Sequence, residues 1–469
     1  MVFSSMTFLF GFLPIVLLVY YLSPKKVKNL IIMISGILFY AWGEPLYVFV
    51  MLLTIVVDYL AGLLIDRFDA FPKRRLAVLI GSVVLNLGFL CVFKYGSFLI
   101  QNINDLFGTQ IFDPQLPLPI GISFYTFQAM SYTIDLYRRS IRVQKSIVNF
   151  TGYVTLFPQL IAGPIVRYSD VEEQINEREI SMNKIADGIS IFIRGLAKKL
   201  ILANNIGAVW TLVKDMDYAT LPVLTAWIGI LAFTFQIYYD FSGYSDMAIG
   251  LGKMLGFDFP QNFNHPYLSK SVSEFWRRWH MTLGSWFLSY VYIPLGGNRV
   301  GKLKLVRNTL IVWMLTGLWH GASWNFVLWG LYFGVLILLE KLFLGKLLQK
   351  LPRVVQWLYA FLLVVFGWVL FEMTSLSSIG SFFGALFGVN GAALFDRQSV
   401  YLFLSNILLF VVCAFCSTNL SRRIYHFVRD KWALWCANTM RLGLDVALFA
   451  VSICYVVTST YNPFLYFNF

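Results

Sequence analysis

The composition of this chain is that of a protein built for a membrane. It has 469 residues, of which 58% are hydrophobic and only 13% are charged, and its formal net charge is +13. A soluble domain carries about 25% charged residues, so the surface of such a chain could not be covered for water. We therefore exclude a disordered, coiled-coil or ordinary cytosolic protein, and predict one all-α polytopic membrane domain over residues 1–469.

The positive charge is distributed in short clusters between apolar runs, which is typical of membrane retention and not of nucleic-acid binding. Basic clusters at 25–28, 67–75 and 138–145 alternate with connections at 43–45 and 101–118, which carry no Lys or Arg. By the positive-inside rule the basic connections are cytoplasmic. We predict a multi-pass protein with its N-terminus outside and with no nucleic-acid partner.

The apolar runs predict about 11–13 transmembrane helices, since a span takes about 17–25 apolar residues. The runs are 6–22, 29–43, 46–65, 76–100, 119–137, 186–213, 222–252, 305–341, 354–372, 399–417 and 439–460. The run at 305–341 is too long for one helix, so we expect it to fold back around 317–325. Shorter runs predict re-entrant or interfacial helices, at 150–163, 281–295 and 376–388.

Two histidines are candidate site residues because of where they lie in these runs. His320 lies inside an apolar run, in the glycine-containing stretch LTGLWHGASWN at 315–325. An imidazole at that depth is costly and marks a functional site by default, and a neutral one can act as a base near pH 7. A packing histidine is the alternative. His280 ends the stretch FWRRWH at 275–280, which is typical of a membrane interface, and an anchor helix without chemistry is its alternative.

Neither histidine has the sequence spacing of a metal ligand. No HxxxH occurs, and neither His280 nor His320 has an adjacent carboxylate. The sequence also lacks P-loop, GxGxxG and GxSxG motifs. We therefore predict no metal site, no bound cofactor and no hydrolase triad.

Six motifs in order make the chain resemble the membrane-bound O-acyltransferase superfamily, in particular the bacterial alginate O-acetyltransferase subfamily. They are FYAWGEP at 39–45, GISFYTFQ at 121–128, LFPQLIAGP at 156–164, DFSGYSDMAIG at 240–250, EFWRRWH at 274–280 and LWHG at 318–321. The recognisable core covers about 40–340, and the helices of about 350–469 match only in being apolar.

The resemblance implies an O-acetyltransferase with a central membrane-embedded tunnel, in which His320 is the catalytic histidine and His280 is the second functional histidine. It implies transfer of an acetyl group from a cytoplasmic thioester donor to an exported polysaccharide or to an extracytoplasmic SGNH-type acetyltransferase partner. Acetyl-CoA is the expected donor, with an acyl-carrier protein as the alternative. The expected location is the bacterial cytoplasmic membrane, with its lipid as a further contact.

The basic residues around His280 are candidates for holding that donor. Arg277, Arg278 and Arg299 cluster near a predicted cytoplasmic mouth, where they would attract the phosphates of a coenzyme A-type donor. His320 would take the proton of the acceptor hydroxyl, and His280 would position or polarise the thioester carbonyl. Three alternatives stay open: D-alanyl transfer to teichoic acid from a carrier protein, a transporter or flippase of a lipid-linked sugar, and a scaffold for an export complex.

Overall fold

The computed structural model describes residues 1–431, 434–458 and 464–465, and in this part of the chain the regular structure is helical throughout. The all-α prediction is therefore confirmed. In chain order the helices are α1 (Leu13–Leu22), α2 (Lys28–Gly43), α3 (Val48–Arg67), α4 (Pro72–Leu90), α5 (Gly96–Phe107), α6 (Ile122–Tyr137), α7 (Ile147–Val154), α8 (Tyr168–Asn176), α9 (Met182–Ala197), α10 (Asn204–Lys214), α11 (Val223–Met254), α12 (Val272–Arg278), α13 (Met281–Phe287), α14 (Lys302–His320), α15 (Trp324–Leu339), α16 (Gly345–Leu348), α17 (Arg353–Glu372), α18 (Leu376–Leu386), α19 (Arg397–Cys416), α20 (Leu420–Lys431) and α21 (Leu434–Thr458).

Several α-helices continue through a π-helical segment, where each turn takes up an extra residue. These segments are Thr7–Phe12, Cys91–Tyr95, Lys198–Ala203, Leu288–Tyr292 and Glu340–Leu344. Two short 3₁₀ turns complete the helical structure of the described residues, at Lys25–Val27 and Pro266–Leu268.

The described residues form two compact units. The first holds Met1–Phe192 and Tyr244–Gln261 with residues 464–465, and the second holds Ile193–Gly243 and Asn262–Thr458. The prediction that the whole chain acts as one domain around a central tunnel stays a prediction.

Seven helices in the described residues are long and apolar enough to cross a membrane, which makes this a multi-pass membrane protein. They are Val48–Arg67, Pro72–Phe107, Val223–Met254, Trp324–Leu348, Arg353–Glu372, Arg397–Cys416 and Leu434–Thr458. The number is smaller than the predicted 11–13 because several apolar runs form helices that are too short to be counted as spans. Helix α6, for example, is only 16 residues long, and nearly all of its side chains are buried.

The first unit brings together the connections that carry the basic clusters. Arg75 donates hydrogen bonds to the carbonyl oxygens of Leu136 and Tyr137, at 3.3 and 3.2 Å. Asp69 pairs with both Arg75 (3.2 Å) and Arg139 (3.0 Å). The connections at 67–75 and 138–145, which the positive-inside rule assigned to the same side, are thus in contact.

The second unit contains the predicted fold-back of the run at 305–341. Helix α14 ends at His320, Gly321–Ser323 are extended or bent, and α15 begins at Trp324. The two helices pack at backbone contact, because a Cβ added at Gly317 would overlap the carbonyl oxygen of Phe326. Small residues allow such approach in membrane proteins. The prediction of a break within 317–325 is confirmed, and the break leaves His320 at the very end of α14.

Candidate active site

The short helix α12, which carries the EFWRRWH stretch, is fixed at its N-terminus by two side chains. Ser271 accepts a hydrogen bond from the Glu274 amide at 3.0 Å. The carboxylate of Glu340 accepts from the amides of Val272 and Ser273, at 2.7 and 2.8 Å. A carboxylate at a helix N-terminus satisfies unpaired amides and interacts favourably with the helix dipole. This capping fixes the start of α12, and His280 follows two residues after the end of that helix.

His280 lies at the corner between α12 and α13 and is almost completely buried, with 2% of its surface exposed. Its φ is +44°, in the left-handed region that few non-glycine residues adopt. Such strain persists only where the surroundings enforce it, and it is concentrated at functional sites. The corner turns the imidazole inward, against the edge of Phe241 at a ring distance of 4.7 Å.

Asn262 holds the His280 ring in one orientation. The Nδ1 atom of His280 lies 3.1 Å from Oδ1 of Asn262, and the same oxygen accepts from the amide and the hydroxyl of Thr282, at 3.3 and 2.9 Å. Because the Thr282 amide can only donate, this atom of Asn262 is the oxygen, and His280 Nδ1 must carry the proton that it donates. Burial lowers the pKa of His280 and favours the neutral ring. The basic nitrogen of the neutral ring is therefore Nε2.

His320 is the last residue of α14 and is 4% exposed. Its ring packs edge-on against Trp329 and Phe371, with centroid distances of 5.0 and 5.4 Å. Trp329 in turn contacts Trp276, at 5.2 Å, so aromatic side chains of α12, α15 and α17 surround the end of α14. Aromatic walls of this kind keep a site dry and strengthen the electrostatic interactions inside it.

The structure brings the two predicted histidines to the same indole. Trp319 contacts His280 at a ring distance of 5.7 Å and His320 at 5.1 Å. Each ring stands steeply to the indole plane, at 62° and 83°. The two imidazoles of separate motifs thus form one buried cluster in the second unit. Their catalytic roles stay predictions.

The three arginines that were predicted to bind the donor have different surroundings. Arg278 pairs with Glu274 at 2.7 Å and donates to the carbonyl oxygen of Asn264 at 3.3 Å. Arg277 is exposed at the end of α12, and Arg299 is exposed in the connection before α14. Arg278 therefore has a structural partner that the sequence reasoning did not assign. Donor binding by Arg277, Arg278 and Arg299 stays a prediction.

His265, in the polar loop before α12, has a hydrogen bond to the backbone. Its Nδ1 lies 3.1 Å from the carbonyl oxygen of Ser417, to which it donates. Burial lowers the pKa of His265, and the nearby cations Lys198, Arg278 and Arg422 lower it further, against the raising effect of the Ser417 bond.

Among the described residues, no group of three or more His, Cys, Asp or Glu side chains could hold a metal ion.

Asn262 is the functional candidate that the sequence reasoning missed. The signal that could have found it is its place in the polar loop QNFNHPY at 261–267, shortly before the histidine-containing stretch. Only the fold shows the contact, because Asn262 and His280 are joined across the start of α13, where the Met281 amide also donates to the Asn262 carbonyl oxygen at 3.0 Å.

Comparison with known proteins agrees with this architecture. The model of the membrane-bound O-acyltransferase family matches residues 83–383. The chain is 37% identical to the "probable alginate O-acetylase" of Azotobacter vinelandii, over all of both chains. It is 31% identical to the peptidoglycan O-acetyltransferase of Helicobacter pylori, over all of this chain and 98% of the relative. A teichoic acid D-alanyltransferase of Streptococcus thermophilus is 28% identical over 48% of this chain. The chain belongs to the membrane-bound O-acyltransferase family and is a membrane-embedded O-acyltransferase.

Proposed function

We propose that this enzyme moves an acetyl group from a cytoplasmic thioester donor, acetyl-CoA, to the hydroxyl of an exported polysaccharide or of an extracytoplasmic SGNH-type partner that passes it on. The observation that carries the proposal is the pair of buried imidazoles on one indole, Trp319. Two relatives that match along the whole of this chain are named for alginate and peptidoglycan O-acetylation. Their names support acetyl as the transferred group and a polysaccharide as the acceptor.

The proposed chemistry assigns His320 as the general base. A sugar hydroxyl is not ionised at pH 7, so its attack on a thioester carbonyl needs a group that takes the proton, worth about 10²–10⁴-fold in rate. The hydroxyl oxygen bonds to the carbonyl carbon, His320 accepts the proton, and the C–S bond then breaks. The proton returns from His320 to the departing thiolate, so the enzyme ends the cycle unchanged.

His280 has a positioning role in this proposal. With its Nδ1 proton donated to Asn262, a neutral His280 offers Nε2 as an acceptor and has no N–H left with which to polarise a carbonyl. Of the two roles that the sequence left open, the geometry therefore favours positioning. An amide N–H on the arm of the thioester donor could donate a hydrogen bond to this Nε2 atom.

D-alanyl transfer is the second candidate function, because the chain is also similar to the teichoic acid D-alanyltransferase of Streptococcus thermophilus. That relative is 28% identical and matches 48% of this chain, whereas the alginate O-acetylase relative is 37% identical and matches all of it. The stronger similarity favours acetyl transfer. A flippase or a scaffold has no acyl-transfer step, so membership of an acyltransferase family argues against both.

The test is transfer of labelled acetyl groups from acetyl-CoA in membranes that contain the chain and an extracytoplasmic acceptor. His320→Gln keeps most of the side-chain volume and removes the base, so transfer should fall by about 10²–10⁴-fold. His426→Gln, in α20 and outside the cluster, is the matched control and should keep its activity. Transfer by His320→Gln at the wild-type rate would overturn the assignment, and transfer of labelled D-alanyl but not acetyl groups would support the second candidate.

A further inference from the structure

The proposed acyl transfer has an electrostatic requirement that the two histidines do not meet. When a hydroxyl oxygen attacks a thioester carbonyl, the carbonyl oxygen takes on negative charge, and N–H donors in a dry site stabilise that charge. His320 accepts the hydroxyl proton in the same step. The N–H of His280 lies on Nδ1 and is donated to Asn262. The donor for the carbonyl oxygen therefore has to be another group near His320.

Trp329, in α15, carries a buried N–H donor. Its side chain is fully buried, with 0% of its surface exposed. The Nε1 atom finds no hydrogen-bond acceptor among the residues that the structure describes. A buried indole N–H normally has a partner, and leaving it without one costs free energy. Such a group is rare in a folded protein, and it points to an acceptor that a ligand supplies.

The surroundings of Trp329 place this donor beside the proposed base. The ring centroid of Trp329 lies 5.0 Å from that of His320, and the two ring planes meet at 77°. Three further aromatic rings pack against the indole: Trp276 at 5.2 Å, Phe333 at 5.2 Å and Phe371 at 5.5 Å. None of these three side chains has an oxygen that could accept the N–H. In such apolar surroundings a hydrogen bond to a charged oxygen is much stronger than in water.

The backbone next to Trp329 is fixed against the helix that ends at His320. A Cβ added at the adjacent Gly330 would lie 2.4 Å from the carbonyl oxygen of Trp313 and 3.3 Å from the Cα of Gly317, both in α14. This close packing of α14 and α15 leaves the backbone at Trp329 little room to move. A donor held in this way needs little reorganisation when charge develops on a substrate oxygen, which is what makes such donors effective.

We propose that Trp329 is a catalytic residue whose indole N–H donates a hydrogen bond to the thioester carbonyl oxygen as that oxygen becomes an oxyanion. The hydroxyl oxygen bonds to the carbonyl carbon, the π electrons of the C=O bond move to its oxygen, and His320 takes the hydroxyl proton. The indole keeps its own proton throughout. When the C=O bond re-forms, the C–S bond breaks and the proton passes from His320 to the thiolate. The inference rests on the proposed function, in which His320 is the base.

Trp276 has the same kind of N–H group but a different position. Its Nε1 atom is also buried without an acceptor among the described residues. Its ring contacts are all aromatic and include neither histidine: Phe275, Trp313, Trp329 and Phe333. Because Trp329 contacts His320 and Trp276 does not, we assign the donor role to Trp329.

The test replaces Trp329 by benzothienylalanine, in which a sulfur atom takes the place of the N–H and the shape of the ring system is kept. Because the hydrogen bond is strong only in the transition state, kcat for acetyl transfer by the purified full chain in vesicles should fall by about 10²-fold. The KM for acetyl-CoA should stay at the wild-type value. A wild-type kcat would overturn the proposal, and so would a raised KM at unchanged kcat, which indicates ground-state binding.

Trp227, in α11, is the matched control because its N–H has a partner in the protein. Its Nε1 donates to the carbonyl oxygen of Leu386 at 3.0 Å. The same replacement at Trp227 removes a formed hydrogen bond, so the melting temperature should fall while kcat is unchanged. At Trp329 no hydrogen bond within the protein is lost, so the melting temperature should hold or rise while kcat falls. A fall in melting temperature as large as that at Trp227 would mean a structural partner for the Trp329 N–H and would contradict the proposal.

A second variant, Trp329→Phe, needs no non-standard amino acid. It removes the N–H and keeps an aromatic ring, and the lost volume lowers stability to some extent. Its kcat should fall at least as far as that of the benzothienylalanine enzyme, with a size-exclusion profile that shows a folded protein. Trp227→Phe is its control and should keep the wild-type kcat.

These outcomes can be separated from a failure of the proposed function. If the wild type transfers labelled acetyl groups and the Trp329 variants do so with the wild-type kcat, only the role of Trp329 fails. If the wild type transfers D-alanyl but not acetyl groups, the proposed function fails. The same comparison of kcat values with the D-alanyl donor then tests Trp329, because both thioesters form an oxyanion when they are attacked.

Discussion

The Nδ1 atom of His280 lies 3.1 Å from the Oδ1 atom of Asn262, and this contact determines which nitrogen of the buried ring is basic. The Thr282 amide, 3.3 Å from the same oxygen, excludes the flipped amide of Asn262. We therefore expect Asn262 to act through His280 and not on the substrate, as a positioning residue.

The first prediction concerns that role. Asn262→Ala should lower kcat for acetyl transfer by about 10²-fold, because a misplaced group costs that much even where the chemistry is intact. Asn262→Asp keeps an acceptor oxygen but adds a negative charge beside the imidazole, which raises the pKa of His280. Activity that requires the neutral ring should then be lost at a higher pH than in the wild type. The pH–rate profile of kcat measures this shift.

The control for this prediction is Thr282→Val. It removes one donor to Asn262, the hydroxyl at 2.9 Å, and leaves the bond to His280 in place. Its pH–rate profile should match that of the wild type. A purely structural Asn262 would give Asn262→Asp an unshifted profile, and that result would contradict the positioning role.

The second prediction concerns the close packing of α14 and α15. Gly317→Ala places a methyl group where the carbonyl oxygen of Phe326 lies, and backbone cannot move aside as a flexible side chain can. Overpacking of this kind costs about 1–3 kcal/mol, so the melting temperature in detergent should fall. Gly81→Ala in α4 is the matched control, since a Cβ there meets no atom within 4 Å. Equal melting temperatures for the two variants would show that the hairpin is looser than described.

The third prediction concerns the donor. Arg277→Ala should raise the KM for acetyl-CoA by about two- to fivefold, the effect of one exposed ion contact, and leave kcat unchanged. A phosphate contact is made equally in the ground and transition states. Arg278→Ala is a poorer probe, because it also leaves Glu274 without its partner. Initial rates at varied acetyl-CoA concentration measure the effect.

Lys270→Ala removes the same charge from an exposed position before α12 and serves as the control for Arg277. If Arg277 only anchors the segment to anionic lipid, the KM for acetyl-CoA stays constant and the lipid composition of the vesicles governs the activity of the variant. That outcome would remove Arg277 from the donor site.

The fourth prediction concerns orientation. In a background without the native cysteines, Lys73→Cys should be protected from an impermeant thiol reagent in intact cells, because the connection at 67–75 is predicted to be cytoplasmic. Gln110→Cys, in the exposed connection after α5 that carries no basic residue, should be labelled. The reverse pattern would place the N-terminus inside. Labelling after cell lysis checks that both cysteines can react.

Composition, hydropathy and motif order were sufficient for the membrane class, the helical fold and the family. These properties depend on local chemistry: a chain with 13% charged residues cannot cover a soluble surface, and the glycines at 317 and 321 permit the break that ends α14. The positive-inside pattern likewise grouped the connections at 67–75 and 138–145, which the Asp69–Arg139 ion pair joins in the structure.

The tertiary structure alone decided which side chains meet. Hydropathy cannot distinguish an apolar helix that faces lipid from one that is buried in protein, so α6 was counted among the spans. The contacts of Trp319 with His280 and of Asn262 with His280 depend on how helices and loops are arranged in three dimensions. A sequence specifies the residue types available for such contacts, but their distances and angles arise only when burial and packing fix the chain around them.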